Sequence, residues 1–280
     1  MQATMLSSTR IGALPALRLD LSDGGSATVT DYGAHVVSWQ PVPGDERLFM
    51  SETAVLDGTK PVRGGVPVIF PQFGAFGTGV RHGFARTVSW TPEERRSGQD
   101  YATATWVLTP DDSALSVPAR VEMTVSLGPR RLDLELHVAH DGTASFSFTA
   151  ALHTYLRVDD IASASLLGLQ DCAYRDQTDE GRMKRQEERH LRIDREIDRI
   201  YAEAPAKLEL IAGGRSTHVL QDGFTDVVIW NPWIERSRAF PDLPADGFRR
   251  FLCVEAATVL EPVRLADGET WTGRQTLIAP

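Results

Sequence analysis

Short runs in which apolar and polar residues alternate recur along most of this chain. The clearest, Leu132-Asp-Leu-Glu-Leu-His-Val138, would place its apolar side chains on one face of a strand. Comparable runs lie at 17–21, 101–108, 121–125, 145–152, 227–230, 251–255 and 270–278. Pairs of turn-forming residues separate the runs, among them Gly128-Pro129, Asp141-Gly142, Gly213-Gly214 and Asp267-Gly268. Because no long amphipathic helical run interrupts them, the pattern predicts an all-β chain, a large antiparallel sandwich or barrel.

The chain shows no sign of a division into domains. Its 280 residues contain no internal repeat, low-complexity tract or shift in composition, so we expect one domain spanning 1–280. Hydrophobic residues make up 42% and charged residues 24%, which allows a sizeable core without disulfides or a structural metal. One segment is ambiguous: residues 175–199 hold eight basic and eight acidic residues and mix strand-like with helix-like spacing. We expect a strand followed by a short turn there.

Charge and cysteine content exclude several classes of partner and site. The formal net charge is −9, from 29 Lys and Arg against 38 Asp and Glu, so neither nucleic acid nor an anionic membrane is an expected partner. Cys172 and Cys253 stand alone, outside any metal-binding spacing, and indicate free thiols in a reducing compartment. Residues 1–16 lack a basic region followed by an apolar run. We therefore expect a cytoplasmic protein with no metal site.

Residues 61–86 form the most unusual segment. They gather Arg63, Arg81, His82 and Arg86 among several glycines and prolines. Glycine lets a backbone approach a ligand closely, proline stiffens a loop, and arginine offers a fork of donors that fits phosphate or carboxylate. The segment is thus suited to a small, anionic, hydroxyl-rich molecule. A long surface connection with solvated arginines explains it equally well on this segment alone.

Two later runs each place one ionisable residue among apolar ones. His153 closes the run Ala150-Ala151-Leu152, where partial burial would bring its pKa near neutrality. Glu255 lies inside the run from Phe251 to Ala257, where a carboxylate is costly to bury without partners or a role. A core histidine bonded to backbone and a carboxylate at a sheet edge are the structural alternatives. Together, His153 and Glu255 form a plausible acid and base.

Six short motifs occur in the order found in one known family. They are Arg63-Gly64-Gly65-Val66-Pro67, His82-Gly83-Phe84-Ala85-Arg86, Leu152-His153-Thr154-Tyr155, Asp198-Arg199-Ile200-Tyr201, Trp230-Asn231-Pro232-Trp233 and Cys253-Val254-Glu255. In these motifs the chain resembles the hexose-6-phosphate mutarotases, also called glucose-6-phosphate 1-epimerases, of the galactose mutarotase-like superfamily. The resemblance extends over residues 18–277. It implies a large antiparallel β-sandwich, sometimes called a supersandwich, which agrees with the strand pattern.

The resemblance also implies an activity and a set of site residues. The reaction would interconvert the α and β anomers of glucose 6-phosphate or a related hexose 6-phosphate, by acid–base ring opening without a cofactor. His153 as imidazolium would be the catalytic acid and Glu255 as carboxylate the base. The expected substrate contacts are Arg63, Arg81, His82, Arg86 and Asp198. Arg81 departs from the family, which often has glutamine at that place, and this bears on which sugar is preferred.

Two other functions are compatible with these residues. The first is an aldose 1-epimerase of unphosphorylated sugars, although a neutral sugar gives three clustered arginines nothing to neutralise. The second is a non-catalytic carbohydrate-binding sandwich, which would need no matched acid and base. Trp230 could stack on a sugar or fill a core position. The main expectation is a monomeric enzyme whose only partner is a small phosphosugar.

Overall fold

The computed structural model describes residues 4–77, 79–109 and 119–280. Within these ranges the chain is built of strands, with one short helix, α1 (Trp233–Ser237), and 3-10 turns at Ala85–Thr87, Ile161–Ser163 and Gly247–Arg250. The all-β prediction is therefore confirmed. No helix in the described part of the chain has the length and apolar character needed to cross a membrane.

The strands are numbered in chain order. The first eleven are β1 (Met5–Ile11), β2 (Leu14–Asp20), β3 (Ser26–Thr30), β4 (His35–Gln40), β5 (Val68–Ile69), β6 (Thr91–Ser97), β7 (Ala102–Leu108), β8 (Ala119–Gly128), β9 (Arg131–His140), β10 (Phe146–Leu152) and β11 (Tyr155–Arg157). The others are β12 (Ser165–Leu167), β13 (Ala173–Asp176), β14 (Arg182–Arg185), β15 (His190–Arg192), β16 (Ile197–Tyr201), β17 (Lys207–Ala212), β18 (Arg215–Asp222), β19 (Asp226–Asn231), β20 (Phe251–Leu265) and β21 (Thr270–Ile278).

Among the described residues these strands form three antiparallel sheets. The first has the order β1-β2-β3-β4. The eight-stranded sheet has the order β14-β13-β16-β19-β20-β10-β5, and β11 also pairs with β20. The nine-stranded sheet has the order β15-β12-β17-β18-β21-β9-β8-β7-β6. Their stacking gives the large antiparallel sandwich that the sequence predicts.

The main core lies between the eight- and nine-stranded sheets. Strands β8 and β9 bury every second residue, as their alternation predicts. Met123 and Leu134 on these strands, Leu252 and Val254 on β20, and Trp39 of the first sheet all belong to one buried cluster. Residues from three sheets thus share a single apolar interior.

The opposite face of the eight-stranded sheet carries two smaller apolar clusters. One contains Ile69, Phe73, Ala151, Ile200, Val228, Ala257 and Val259. The other, here called the aromatic cluster, contains Phe49, Tyr155, Trp230, Leu243, Phe251 and Cys253. Because side chains alternate along β20, Cys253 and Glu255 lie on this face while their neighbours enter the main core. The candidate functional residues therefore lie on the side of the sheet away from the sandwich interior.

The ambiguous segment contains more strand than the sequence predicts. It forms the hairpin of β13 and β14, and β15 and β16 follow it. The helix-like spacing near its end reflects burial rather than a helix, since Leu191, Ile193 and Ile197 join the main cluster from extended backbone and a bend.

Candidate active site

His153 and Glu255 form a buried pair. His153 directly follows β10, and its backbone N–H donates to the Pro67 carbonyl at 3.0 Å. Glu255 lies within β20. The distance from His153 Nε2 to Glu255 Oε1 is 3.3 Å, and the residues are 8% and 1% exposed. The sheet thus brings together the two residues that the sequence singles out as an acid and a base.

Burial sets the protonation of this pair. Loss of water lowers the pKa of His153 well below its usual value, and the charges of Arg86 and Arg63 add to this effect. Burial likewise raises the pKa of Glu255 well above its usual value, helped by the negative charge of Asp198. Burial therefore disfavours the charged form of both partners. The expected imidazolium and carboxylate stay a prediction, and burial is the effect that opposes them.

The pair retains unused hydrogen-bonding capacity. His153 Nδ1 and Glu255 Oε2 are buried and have no partner among the described residues. Buried polar atoms are normally satisfied, so atoms left open in this way point to a site that a ligand completes.

A thiol completes a possible donor set beside the pair. Cys253 lies two residues before Glu255, and potential ligand atoms of His153, Cys253 and Glu255 lie within 4.8 Å of one another. Burial raises the pKa of the Cys253 thiol well above its usual value, so the thiol keeps its proton at neutral pH. These are donor types that zinc accepts, and the expectation of a site without metal stays a prediction.

Aromatic rings enclose the His153 imidazole. Tyr155 stacks on it almost in parallel, with centroids 4.8 Å apart and planes inclined by 12°. Trp230 and His82 meet it edge-on, with centroids at 5.8 Å and 5.9 Å. Trp230 thus lies on the site face rather than in the main core, as part of the aromatic cluster. The rings hold the imidazole plane and keep water from it.

Arg63 is held on three sides. Its Nη1 donates to the Tyr155 hydroxyl at 3.1 Å, and its Nε and Nη2 donate to the two carboxylate oxygens of Asp242, each at 3.3 Å. The guanidinium also lies 4.5 Å above the ring centre of Phe240. Arg63 is therefore fixed in place, and its charge already has a counter-ion.

Arg86 and Arg81 have no ion pair among the described residues. Arg86 Nε is buried without a hydrogen-bond partner, and its Nη2 donates to the Arg81 carbonyl at 3.4 Å. Burial lowers the pKa of Arg86, and Arg63 lowers it further. The Arg81 side chain is exposed, so it lies at the rim of the site. A partly buried guanidinium without a counter-ion favours an anionic ligand.

A cavity of about 350 Å³ opens between these side chains. We call it the arginine cavity. Its polar lining consists of Lys60, Arg63, Arg86, Tyr155 and Asp242, and its apolar lining includes Val55, Val62, Pro67, Phe240 and Pro241. The cavity is large enough for a small substituent such as a phosphate group, and Tyr155 forms part of its wall beside His153.

His82 and Asp198 occupy the remaining approaches to the pair. His82 Nδ1 accepts a hydrogen bond from the Gly74 N–H at 3.3 Å, which leaves its proton on Nε2. Burial and the arginines lower the pKa of His82 to about 3, so its ring is a neutral donor. Asp198 stands on β16 opposite Trp230, and burial raises its pKa to about 6. Both side chains suit hydroxyl recognition.

The structure brings the residues expected from sequence to one side of the eight-stranded sheet. His153, Glu255, Arg63, His82 and Arg86 are linked by the contacts and charges given above, Asp198 by its charge near Glu255, and Arg81 lies at the rim. Sequence reasoning missed Asp242 and Phe240, which come from a loop far along the chain and carry no motif. It also gave Tyr155 no role, although Tyr155 is the last residue of the motif Leu152-His153-Thr154-Tyr155.

Comparisons with known proteins agree with this arrangement. The sequence profile of the family described as aldose 1-epimerase matches residues 15–277. A protein of Cenchrus ciliaris is 33% identical over 261 residues, covering 89% of this chain and 79% of that protein. A protein of Escherichia coli is 33% identical over 248 residues, covering 82% and 78%. Both carry the provisional name glucose-6-phosphate 1-epimerase. The crystal structure of a protein provisionally named a mutarotase, from Salmonella typhimurium, matches with a TM-score of 0.89 at 26% identity, covering 98% of this chain and 92% of that one.

Proposed function

This chain belongs to the aldose 1-epimerase family, and from that premise we propose that it is a hexose-6-phosphate mutarotase. It would interconvert the α and β anomers of glucose 6-phosphate or a related hexose 6-phosphate. The observation that carries the proposal is the buried His153–Glu255 pair beside a cavity lined by Arg63 and Arg86. The names of the two relatives support the same substrate class.

The reaction needs one proton taken and one proton given. Glu255 as carboxylate removes the proton of the C1 hydroxyl while His153 as imidazolium protonates the ring oxygen O5. The C1–O5 bond breaks, and an open-chain aldehyde forms. Rotation about C1–C2 then presents the other face of the carbonyl. On closure His153 takes back the O5 proton and Glu255 returns its proton to the C1 oxygen, so every atom is recovered.

The buried pair is suited to this exchange because its net charge stays constant. The imidazolium–carboxylate form acts on the closed ring, and the imidazole–carboxyl form remains after opening. The two forms differ only in which partner holds the proton, so ring opening creates no net charge in a site poor in water. Burial opposes the charged form, as the lowered pKa of His153 and the raised pKa of Glu255 indicate, so the proton moves readily out of that form during ring opening. Positioned acid–base transfer of this kind supplies roughly 10² to 10⁴ in rate.

The arginines favour a phosphorylated substrate over a neutral sugar. Arg86 is charged, largely buried and without an ion pair among the described residues, and Arg63 lines the same cavity. A phosphate dianion would offset the burial of Arg86, whereas a free hexose would not. A non-catalytic binding module is disfavoured because it would gain nothing from burying a matched carboxyl and imidazole.

The proposal keeps the other expectations made from sequence. The enzyme would act as a cytoplasmic monomer without a cofactor, and it would bind neither nucleic acid nor membranes. A net charge of −9 supports the last point. The transfer of protons between substrate, Glu255 and His153 accounts for the whole reaction.

Magnetisation-exchange NMR on glucose 6-phosphate tests the activity. The protein should accelerate exchange between the α and β anomeric signals, and should do so less effectively with free galactose or glucose. Exchange that is unchanged by the protein would refute the proposed function. Equal acceleration of free galactose would refute the phosphate assignment while leaving the epimerase activity intact.

The acid–base pair is tested by substitution. His153→Ala and Glu255→Gln should each lower kcat by roughly 10² to 10⁴ while the protein stays folded, because each removes one proton-transfer partner. His218→Ala is a matched control, since His218 also lies near a carboxylate, with its Nε2 3.8 Å from Glu209 Oε1, but on the nine-stranded sheet. Full activity in either site variant would exclude that residue as acid or base.

A further inference from the structure

We propose that Tyr155 is a positioning residue that couples anion binding at Arg63 to the orientation of the His153 imidazole. This inference rests on the proposed function, since it assigns the anion to the phosphate of the substrate. It concerns a residue to which the sequence assigned no role. Tyr155 would not touch the reacting atoms but would act through His153.

Tyr155 contacts both ends of the site. It begins β11, lies opposite Cys253 on β20 and is 3% exposed. Its ring stacks on His153 at 4.8 Å, and its hydroxyl accepts the hydrogen bond from Arg63 Nη1 at 3.1 Å. The same residue lines the arginine cavity. One rigid ring therefore spans the distance between the proposed phosphate site and the proposed acid.

Arg63 is arranged to orient an anion rather than to neutralise it. Three of its five N–H groups are engaged, two by Asp242 and one by Tyr155, which leaves one N–H on each Nη for a ligand. Asp242 is itself fixed, because the Ser51 hydroxyl donates to its backbone carbonyl at 2.6 Å. An anion bound by the remaining N–H groups would shift the guanidinium and so change the geometry of its hydrogen bond to the Tyr155 hydroxyl.

The phenol can also meet the anion directly. Burial raises the pKa of Tyr155 well above its usual value, so the hydroxyl keeps its proton. No acceptor for that proton is found among the described residues, and the hydroxyl faces the side chain of Arg63 in the cavity wall. A phosphate oxygen in the cavity is a suitable acceptor.

His153 depends on its ring contacts for orientation. Its Nδ1 has no hydrogen-bond partner among the described residues, so no second bond fixes the plane of the imidazole. That plane is set by Glu255 on one nitrogen, by stacking on Tyr155 and by the edge contacts with Trp230 and His82. A small movement of the Tyr155 ring would therefore change the direction in which His153 Nε2 points.

Tyr155→Phe tests the coupling because it removes the hydroxyl and keeps the stacked ring. Tyr201→Phe is a matched control: Tyr201 is also buried, and its hydroxyl lies 3.4 Å from Arg199 Nη1, but its ring belongs to the main core. Inorganic phosphate is titrated into protein labelled with ¹⁵N in histidine. Phosphate should shift the His153 imidazole signals in the wild type and in Tyr201→Phe, and at least threefold less in Tyr155→Phe. A wild type without a shift, or an undiminished shift in Tyr155→Phe, would overturn the proposal.

Kinetics separate positioning from a merely structural role. Tyr155→Phe should lower kcat/KM for glucose 6-phosphate roughly tenfold, because it loses one hydrogen bond to a charged group and with it the link between the anion and His153, and it should affect free glucose less. Tyr155→Leu should in addition lower kcat for both sugars, because the stack is gone. Equal losses with both sugars in Tyr155→Phe would contradict the coupling. The phosphate titration needs no turnover, so its result stands apart from any failure of the proposed function.

Discussion

At the scale of single residues, burial decides the protonation of the site. It is the largest cause of the pKa shift at His153, Glu255 and Asp198, ahead of every charged neighbour. The sequence shows that His153 and Glu255 lie in apolar runs, but it does not show that both are fully enclosed. The desolvation that opposes the expected charged forms therefore becomes visible only in the folded site.

Asp198 gives the site a pH dependence that can be measured. Because burial raises its pKa to about 6, Asp198 is neutral below that pH and a carboxylate above it. Only the carboxylate makes charge-assisted hydrogen bonds to sugar hydroxyls, and these are roughly twice as strong as neutral ones. We therefore expect KM to rise several-fold as the pH falls through about 6. The measurement is KM against pH with glucose 6-sulfate, whose charge does not change in this range.

Asp198→Asn is the control for this prediction. The amide cannot ionise, so the variant should keep a high KM throughout and lose the step near pH 6. A step of the same size in the variant would assign the titration to another group.

At the scale of elements, the segment around β5 can bring its side chains to the site only because its backbone bends sharply at Gly83. Gly83 has φ of 65°, and a Cβ there would stand 2.0 Å from the Phe70 carbonyl oxygen. Glycine alone fits, because the contact is with rigid backbone and φ is positive. This close approach turns the chain so that His82 and Arg86 enter the site from the two sides of Gly83.

Gly83→Ala should therefore damage binding as well as stability. We expect KM for glucose 6-phosphate to rise roughly tenfold or more, since displacing the turn moves His82 and Arg86, and the unfolding free energy to fall by about 1–3 kcal/mol. Enzyme kinetics and urea denaturation measure the two effects.

Gly214→Ala separates the clash from the backbone conformation. Gly214 also has a positive φ, of 75°, but nothing lies within 4 Å of an added Cβ. Gly214→Ala should therefore lower the unfolding free energy by only about 1–2 kcal/mol and leave KM unchanged. If both variants raised KM alike, the close contact at Gly83 would not explain the effect.

Strands were more predictable than the site because each carries its own signal. The alternation at Leu132–Val138 and the Gly213-Gly214 turn are local, and both appear in the structure as β9 and the turn between β17 and β18. The Arg63–Asp242 ion pair joins residues separated by 179 positions, and its formation depends on how a loop folds over the sheet. A role for His153 could be predicted because the residue follows an apolar run and lies in a family motif. Asp242 has neither signal, so its contact with Arg63 could not be predicted.

At the scale of the whole molecule, the main apolar core and the site lie on opposite faces of the eight-stranded sheet. The main cluster contains residues such as Leu134, Leu136 and Val254, while Glu255 and Trp230 face the other way. Substitutions in the two regions should therefore have separable effects.

Leu134→Ala tests this separation. Leu134 is fully buried, so the cavity left by the substitution should lower the unfolding free energy by about 2–5 kcal/mol. The kcat of the molecules that stay folded should remain within about twofold of the wild type. Urea denaturation and activity at low temperature measure both quantities, with the exposed Met183→Ala, expected to change stability by about 0.5 kcal/mol or less, as control. A kcat that falls along with stability would show that the two faces are coupled.

Strand β20 links the recovery of activity to correct assembly. Its residues alternate between the main core and the site, with Val254 on one side and Glu255 on the other. A slip of one residue against β19 would send the carboxyl into the apolar interior and turn a valine toward the sugar. Such a chain would be both unstable and inactive, so a chain with an almost correct strand pairing would show no activity. The epimerase activity regained after denaturation is therefore proportional to the number of natively paired chains. Measuring it gives the refolding yield directly.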